Sequence, residues 1–163
     1  RLCGTDQRLS TPNTTPTWLG VRQTQFDTDT AAVFGADIPE GARAGLTAYY
    51  MHTHHYDVLI TRRDGRLYAQ LRKHLFDMAM VTAEIPLPEC SEVTLRITSD
   101  RSTYTFTAAA DGGAPAVLGT ALTAGLATEV TEHMTFTGTF LALFAEDGDA
   151  AVRRFDYKAV WEK

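Results

Sequence analysis

The feature that most constrains this chain is a two-residue alternation of side-chain character, repeated in short runs between turn residues. From Tyr56 to Arg62, Tyr56, Val58 and Ile60 fall on one side while Asp57, Leu59 and Thr61 fall on the other. From Glu92 to Ser99, Val93, Leu95 and Ile97 alternate with Thr94, Arg96 and Thr98. Successive side chains of a strand point to opposite faces, so each run predicts a strand with one buried face. Tyr104 and Phe106 among threonines extend the pattern, because branched and aromatic side chains suit a pleated surface. Phe136 to Phe144 is more uniformly apolar, which predicts a central strand covered on both faces. Val152 to Trp161 predicts the last strand.

Turn chemistry separates these runs. Asp64-Gly65 lies between two alternating segments and predicts a tight hairpin, whose turn needs positive φ. Asp100-Arg101-Ser102, Asp111-Gly112-Gly113 and Asp147-Gly148-Asp149 predict further turns. Pro86 and Pro88 bracket a connection, since proline cannot donate to a ladder. Between Leu118 and Val130 one short helical turn is expected, because the glycines there oppose anything longer. About ten short strands at this spacing point to an all-β fold, an antiparallel two-sheet β-sandwich or jelly roll. One domain is expected over residues 1–163, with residues 1–17 as an extended leading segment containing Pro12 and Pro16.

Charge and composition narrow the function. The 15 basic residues against 20 acidic ones give a net charge of −5, which argues against nucleic acid as a partner. No apolar run approaches the ~18 residues that a membrane helix needs, so a soluble chain with no membrane partner is expected. No charged-then-apolar leader opens the sequence, and the start at Arg1 leaves open what precedes it. Cys3 and Cys90 are too few for a disulfide framework. Free thiols are the expectation, and they favour a cytoplasmic parent protein over a secreted one.

A set of motifs in fixed order then points to a family. Leu2-Cys3-Gly4, Leu9-Ser10, Leu19-Gly20-Val21-Arg22-Gln23 and Phe26-Asp27 open the chain. Ala44-Gly45-Leu46-Thr47-Ala48-Tyr49-Tyr50 and the strand Tyr56-Asp57 to Thr61 follow. Phe136-Thr137-Gly138-Thr139-Phe140 and Phe155-Asp156-Tyr157 close the series. Together they resemble the C-terminal domain of family 43 glycoside hydrolases of the β-xylosidase and α-L-arabinofuranosidase type. The resemblance implies a concanavalin A-like jelly roll packed against a catalytic five-bladed propeller, which removes xylose or arabinose from oligosaccharide ends. In that family a loop just before the Phe-Thr-Gly strand closes one side of the substrate pocket with an aromatic residue. Here that loop reads Glu132-His133-Met134-Thr135, so His133, Met134 and Thr135 become the pocket-closing candidates, with no aromatic carbocycle in the loop before Phe136. Val21, Arg154 and Lys158 also depart from the family pattern.

The remaining chemistry-bearing clusters have simpler readings. His52-Thr53-His54-His55 could offer imidazoles to zinc or copper, but its place between Tyr50 and Tyr56 predicts a solvated hairpin turn. Glu146-Asp147-Gly148-Asp149 has oxygen ligands suited to calcium, and also the composition of a polar hairpin tip. Asp156, on the final strand, is the candidate ligand for a structural calcium; no other cofactor is expected. Glycoside hydrolysis needs two carboxyl groups ~5 to 10 Å apart. The nearest acid pairs, Asp27/Asp29 and Asp147/Asp149, fall at or beside turns, and no G-x-S-x-G elbow occurs. Catalysis by this chain alone is not expected.

Of the aromatics, Trp18, Tyr49, Tyr50, Tyr56, Tyr68 and Trp161 are mostly expected in the core, with Trp18 the candidate for stacking on sugar. Leu75, Phe76, Met78, Met80 and Val81 sit in a connection with little turn chemistry, as a partner surface or a buried strand. The expected function is that of an accessory domain on a catalytic propeller, in a protein compatible with homo-oligomerisation. The alternative is an autonomous carbohydrate-binding module.

Overall fold

The computed structural model describes residues 1–131 and 137–160. Its strands in chain order are β1 (Thr17–Arg22), β2 (Thr28–Gly35), β3 (Arg43–Met51), β4 (His54–Arg63), β5 (Arg66–Leu75), β6 (Met78–Pro86), β7 (Glu92–Ser99), β8 (Thr103–Ala110), β9 (Ala116–Leu122), β10 (Phe140–Glu146) and β11 (Val152–Ala159). They form two antiparallel sheets, ordered β1-β10-β3-β4-β5-β6 and β11-β2-β7-β8-β9. The sequence therefore reads correctly as an all-β, two-sheet sandwich.

The core lies between the sheets, where Phe34, Leu46, Val58, Ile60, Leu95, Ile97 and Phe106 are fully buried. Each such side chain contributes roughly 1.5–3 kcal/mol relative to exposure. The predicted Asp64-Gly65 hairpin joins β4 to β5, with φ of 51° and 73° at its two central residues. β6 ends at Pro86, as the prolines predict. The expected helical turn is two 3-10 turns, Thr123–Leu126 and Thr128–Val130. A Cβ at Gly125 would lie 1.9 Å from the Tyr56 hydroxyl oxygen, so only glycine lets the first turn pack there. Cys3 and Cys90 are free thiols.

Three expectations need correction. β7 buries one face, as its alternation predicts, but β4 is buried on both faces from His54 to Thr61. Part of the cause is the leading segment, which is not an extended lead-in, while His55 and Asp57 are packed by Tyr49, His74 and Arg72. Leu2 bridges Ala150, Thr5 bridges Glu146, and Leu9, only 2% exposed, packs on Leu59 and Phe144. This segment lies over the face of β4 that the polar alternation assigned to solvent.

The second correction concerns the histidines. His54 and His55 are buried within β4, leaving only His52 and Thr53 in the turn. The third is the hairpin between β5 and β6, which turns at Phe76-Asp77 without glycine. Phe76 takes a positive φ of 58°, and its ring meets His54 edge-on at 4.6 Å. That ring contact accompanies a backbone conformation that bulky residues seldom adopt.

Candidate functional site

Strand register arranges the face of the six-stranded sheet that points away from the other sheet. Arg22, Phe140, Tyr49, His55 and His74 are successive partners in one row across β1, β10, β3, β4 and β5. The next row runs Gly20, Ala142, Thr47, Asp57 and Arg72. Beyond it come Trp18, Phe144, Gly45, Leu59 and Gln70. The face is thus an aromatic and imidazole surface with charges set into its middle.

Arg72 joins those charges. Its Nε donates to Asp57 Oδ2 at 2.7 Å, and Nη1 and Nη2 donate to the two Glu146 carboxylate oxygens at 3.1 and 3.2 Å. The guanidinium also lies 5.6 Å from the Phe144 ring centroid. Glu146 accepts a further bond from the Leu9 backbone N–H at 3.1 Å. Arg8 and Arg43 pair with Asp147 at 2.8 and 2.6 Å beside it. Asp57 accepts from the imidazole of His55, whose Nδ1 lies 2.9 Å away. His55 Nε2 is buried with no hydrogen-bond partner among the described residues.

Both carboxylates in this network are fully buried. Burial alone would raise the Asp57 carboxyl, but His55 and Arg72 outweigh it and hold the group well below the usual carboxylate range. A glycosidase general acid needs the opposite, a pKa raised toward neutrality. Glu146 has both oxygens engaged by Arg72, so neither is free to reach a substrate. This pair of acids holds the sheet together; it is not built to cleave a glycosidic bond.

The residues singled out from sequence fall in different places. Trp18 is 37% exposed and packs against Tyr49 at 5.6 Å and edge-on against Phe140 at 5.5 Å. Tyr50 and Tyr56 are in the core, while Tyr68 lies under the Arg63 guanidinium. Asp156 pairs with Arg154 at 2.5 Å, on a face shared with Asp29, Arg96 and Lys158. Among the described residues, no three His, Cys, Asp or Glu side chains gather as a metal site. Glu146 is not part of a polar hairpin tip, because it ends β10 under the leading segment. Asp29 lies within β2 and pairs with Arg96, while Asp149 pairs with Arg1 at 3.0 Å. His133, Met134 and Thr135, with Phe136 and Trp161, lie outside the described residues. Sequence reasoning missed the network of Asp57, Arg72 and Glu146. Its one signal was an acid and a base in strands that pair, which alternation alone assigns to solvent.

A concanavalin A-like sandwich whose buried acids serve structure defines the class to which this chain is compared. Residues 1–158 match the family described as the beta xylosidase C-terminal concanavalin A-like domain. The non-reducing end alpha-L-arabinofuranosidase BoGH43B of Bacteroides ovatus is 38% identical over 159 residues, which are 96% of this chain and 29% of that protein. A solved structure of Bacteroides ovatus Xyloglucan PUL GH43B superposes with a TM-score of 0.83 at 34% identity, over 97% of this chain and 32% of that one. The xylan beta-1,4-xylosidase of Bacillus halodurans C-125 shares the fold, with a TM-score of 0.88 at 21% identity over 96% of this chain and 32% of its own. The chain belongs to the beta xylosidase C-terminal concanavalin A-like domain family of the family 43 glycoside hydrolases. It spans about three tenths of the length of the relatives it matches.

Proposed function

We propose that this chain is the non-catalytic accessory sandwich of a glycosidase that acts on xylo- or arabino-oligosaccharides. In this reading it packs on a catalytic five-bladed propeller and stabilises it, and His133, Met134 and Thr135 form one wall of the substrate pocket. The observation that carries the proposal is the match over residues 1–158, set against relatives more than three times as long. The chemistry of the chain supports it, because Asp57 and Glu146 are locked to Arg72. The free thiols Cys3 and Cys90 fit a reducing, cytoplasmic setting for the parent protein. Calcium has no part in the proposal, since Asp156 is engaged by Arg154.

The rival reading, an autonomous sugar-binding module, requires aromatic faces laid flat toward solvent. Trp18 is tilted 32° to Tyr49 and meets Phe140 at 82°, which does not make a planar platform. The test is hydrolysis of aryl xylosides and arabinosides by the purified chain and by the longer polypeptide that carries it. Turnover is expected only from the longer polypeptide, and turnover by the purified chain alone would overturn the proposal.

A further inference from the structure

Two histidines on the outer face of the six-stranded sheet have no part in the accessory reading. His55 of β4 and His74 of β5 are direct cross-strand partners, with ring centroids 5.0 Å apart. Each has one ring nitrogen fixed by an acceptor. His55 Nδ1 lies 2.9 and 3.0 Å from the two Asp57 carboxylate oxygens, which can only accept because Asp57 is ionised. A neutral imidazole that donates from Nδ1 carries its lone pair on Nε2. That nitrogen is buried and without a hydrogen-bond partner, in a side chain only 1% exposed. His74 Nε2 lies 3.1 Å from the Phe76 carbonyl, which also only accepts, so the lone pair of His74 falls on Nδ1. Adjacent strands thus bring two imidazoles together, each with one nitrogen left bare.

We propose that His55 Nε2 and His74 Nδ1 form a binding site for a divalent transition cation of the zinc class. Imidazole nitrogen is a ligand that such ions favour. Histidines that bind metal almost always donate their other N–H to a carboxylate or a backbone carbonyl, which fixes the tautomer and the ring orientation. One partner of each kind is in place here, Asp57 for His55 and the Phe76 carbonyl for His74. Burial, with His55 beside it, holds the His74 imidazole below its ordinary value and favours the neutral form that a metal requires. The Asp57 carboxylate supplies negative charge one ring away, while the Arg72 guanidinium is bound by Asp57 and Glu146. Two protein nitrogens leave the other positions of the ion to water, unlike a closed structural site with four protein ligands. Bound there, the ion ties β4 to β5. His52, in the turn after β3, stands outside this pair.

The test is a titration of zinc chloride into the purified, tag-free chain, followed by calorimetry and by long-range proton–nitrogen NMR of the imidazoles at neutral pH. Before zinc is added, His55 is expected as the Nδ1–H tautomer and His74 as the Nε2–H tautomer. With zinc, one saturable site is expected, and the His55 Nε2 and His74 Nδ1 resonances move together. His74→Ala should weaken binding by at least the ~10–100-fold that loss of an outer hydrogen-bond partner alone costs. His52→Ala should leave the affinity unchanged. Zinc should also raise the unfolding midpoint of the original chain and not that of His74→Ala, because a ligand stabilises the state it binds. Opposite tautomers, or no saturable binding, would overturn the proposal. So would binding that survives His74→Ala and moves the His52 resonances instead.

Discussion

The outer faces of the two sheets are built from the same kind of pair and treat it in opposite ways. On the five-stranded sheet, Arg96 of β7 bonds Asp29 of β2, with the arginine side chain 49% exposed. On the six-stranded sheet, Arg72 of β5 bonds Asp57 of β4, and its side chain is 14% exposed. Each is an acid and a base on paired strands. What differs is the cover: the leading segment lays Leu9 over one face, and the other meets solvent. Exposed pairs contribute ~0–1 kcal/mol, whereas breaking a buried pair leaves a charge without water or partner and costs several times more. The comparison teaches that an ion pair takes its energetic weight from what covers it.

The sharpest way to break the comparison is to delete each arginine. Arg72→Met removes the guanidinium shared by the buried Asp57 and Glu146, leaving Asp57 with His55 and Glu146 with the more distant Arg8 and Arg43, and an expected loss of about 3–5 kcal/mol in urea unfolding follows. Replacing all three together, as R72M/D57L/E146L, should recover much of that loss, since apolar groups of similar volume leave no charge to solvate. Recovery would show that the cost lies in the buried acids and not in the arginine's packing. A smaller loss is expected from removing the cover. Leu9→Ala empties the small cluster with Leu59 and Phe144, and about 2–3 kcal/mol is expected, at the low end for leucine truncation. A loss below ~0.5 kcal/mol would mean that the segment does not seal the network, and the contrast between the faces would need another cause.

The sequence carried one side of this contrast better than the other. In β7, Val93, Leu95 and Ile97 bury while Thr94 and Arg96 do not, so alternation reports the fold faithfully. In β4 the same alternation misleads, because its second face is covered by Leu9, far away in sequence, over Leu59 and by Arg72, Tyr49 and His74 over Asp57 and His55. Periodicity records which residues share a face, and it cannot record what lies over that face. The turn at Phe76-Asp77 escaped for a related reason: a ring contact with His54 accompanies positive φ where glycine is the usual marker. Of the family motifs, Ala44 to Tyr50 forms most of β3, a strand paired on both sides.

Acid titration sharpens the comparison further. Asp57 is held below its ordinary value, against the effect of its own burial, by His55 and Arg72, with Thr47 beside it. Asp29 is lowered chiefly by its bond to Arg96, from a site much more open to water. For a carboxylate with a depressed folded pKa, the stabilisation is complete above the unfolded value near 3.8 and is lost as pH falls through the folded one. Stability should therefore drop as pH is lowered below about 4, and one such group contributes at most ~1.4 kcal/mol per pH unit. Asp57→Asn is expected to flatten that slope clearly, and Asp29→Asn only slightly. Equal slopes in the two variants would mean that burial does not set the strength of the linkage.

The smallest effect belongs to the exposed arginine. Arg96→Ala removes the partner of Asp29, but the freed carboxylate remains hydrated, so no desolvation penalty follows. The expected loss is at most ~1 kcal/mol at low ionic strength. It should shrink further at 1 M salt, where the screening length falls to about 3 Å. The salt dependence makes the argument two-sided. Arg72→Met should cost nearly the same at both ionic strengths, because ions do not enter the sheet face beneath Leu9. A salt-sensitive Arg72→Met, or a salt-insensitive Arg96→Ala of several kcal/mol, would place the division between the two faces somewhere other than in their cover.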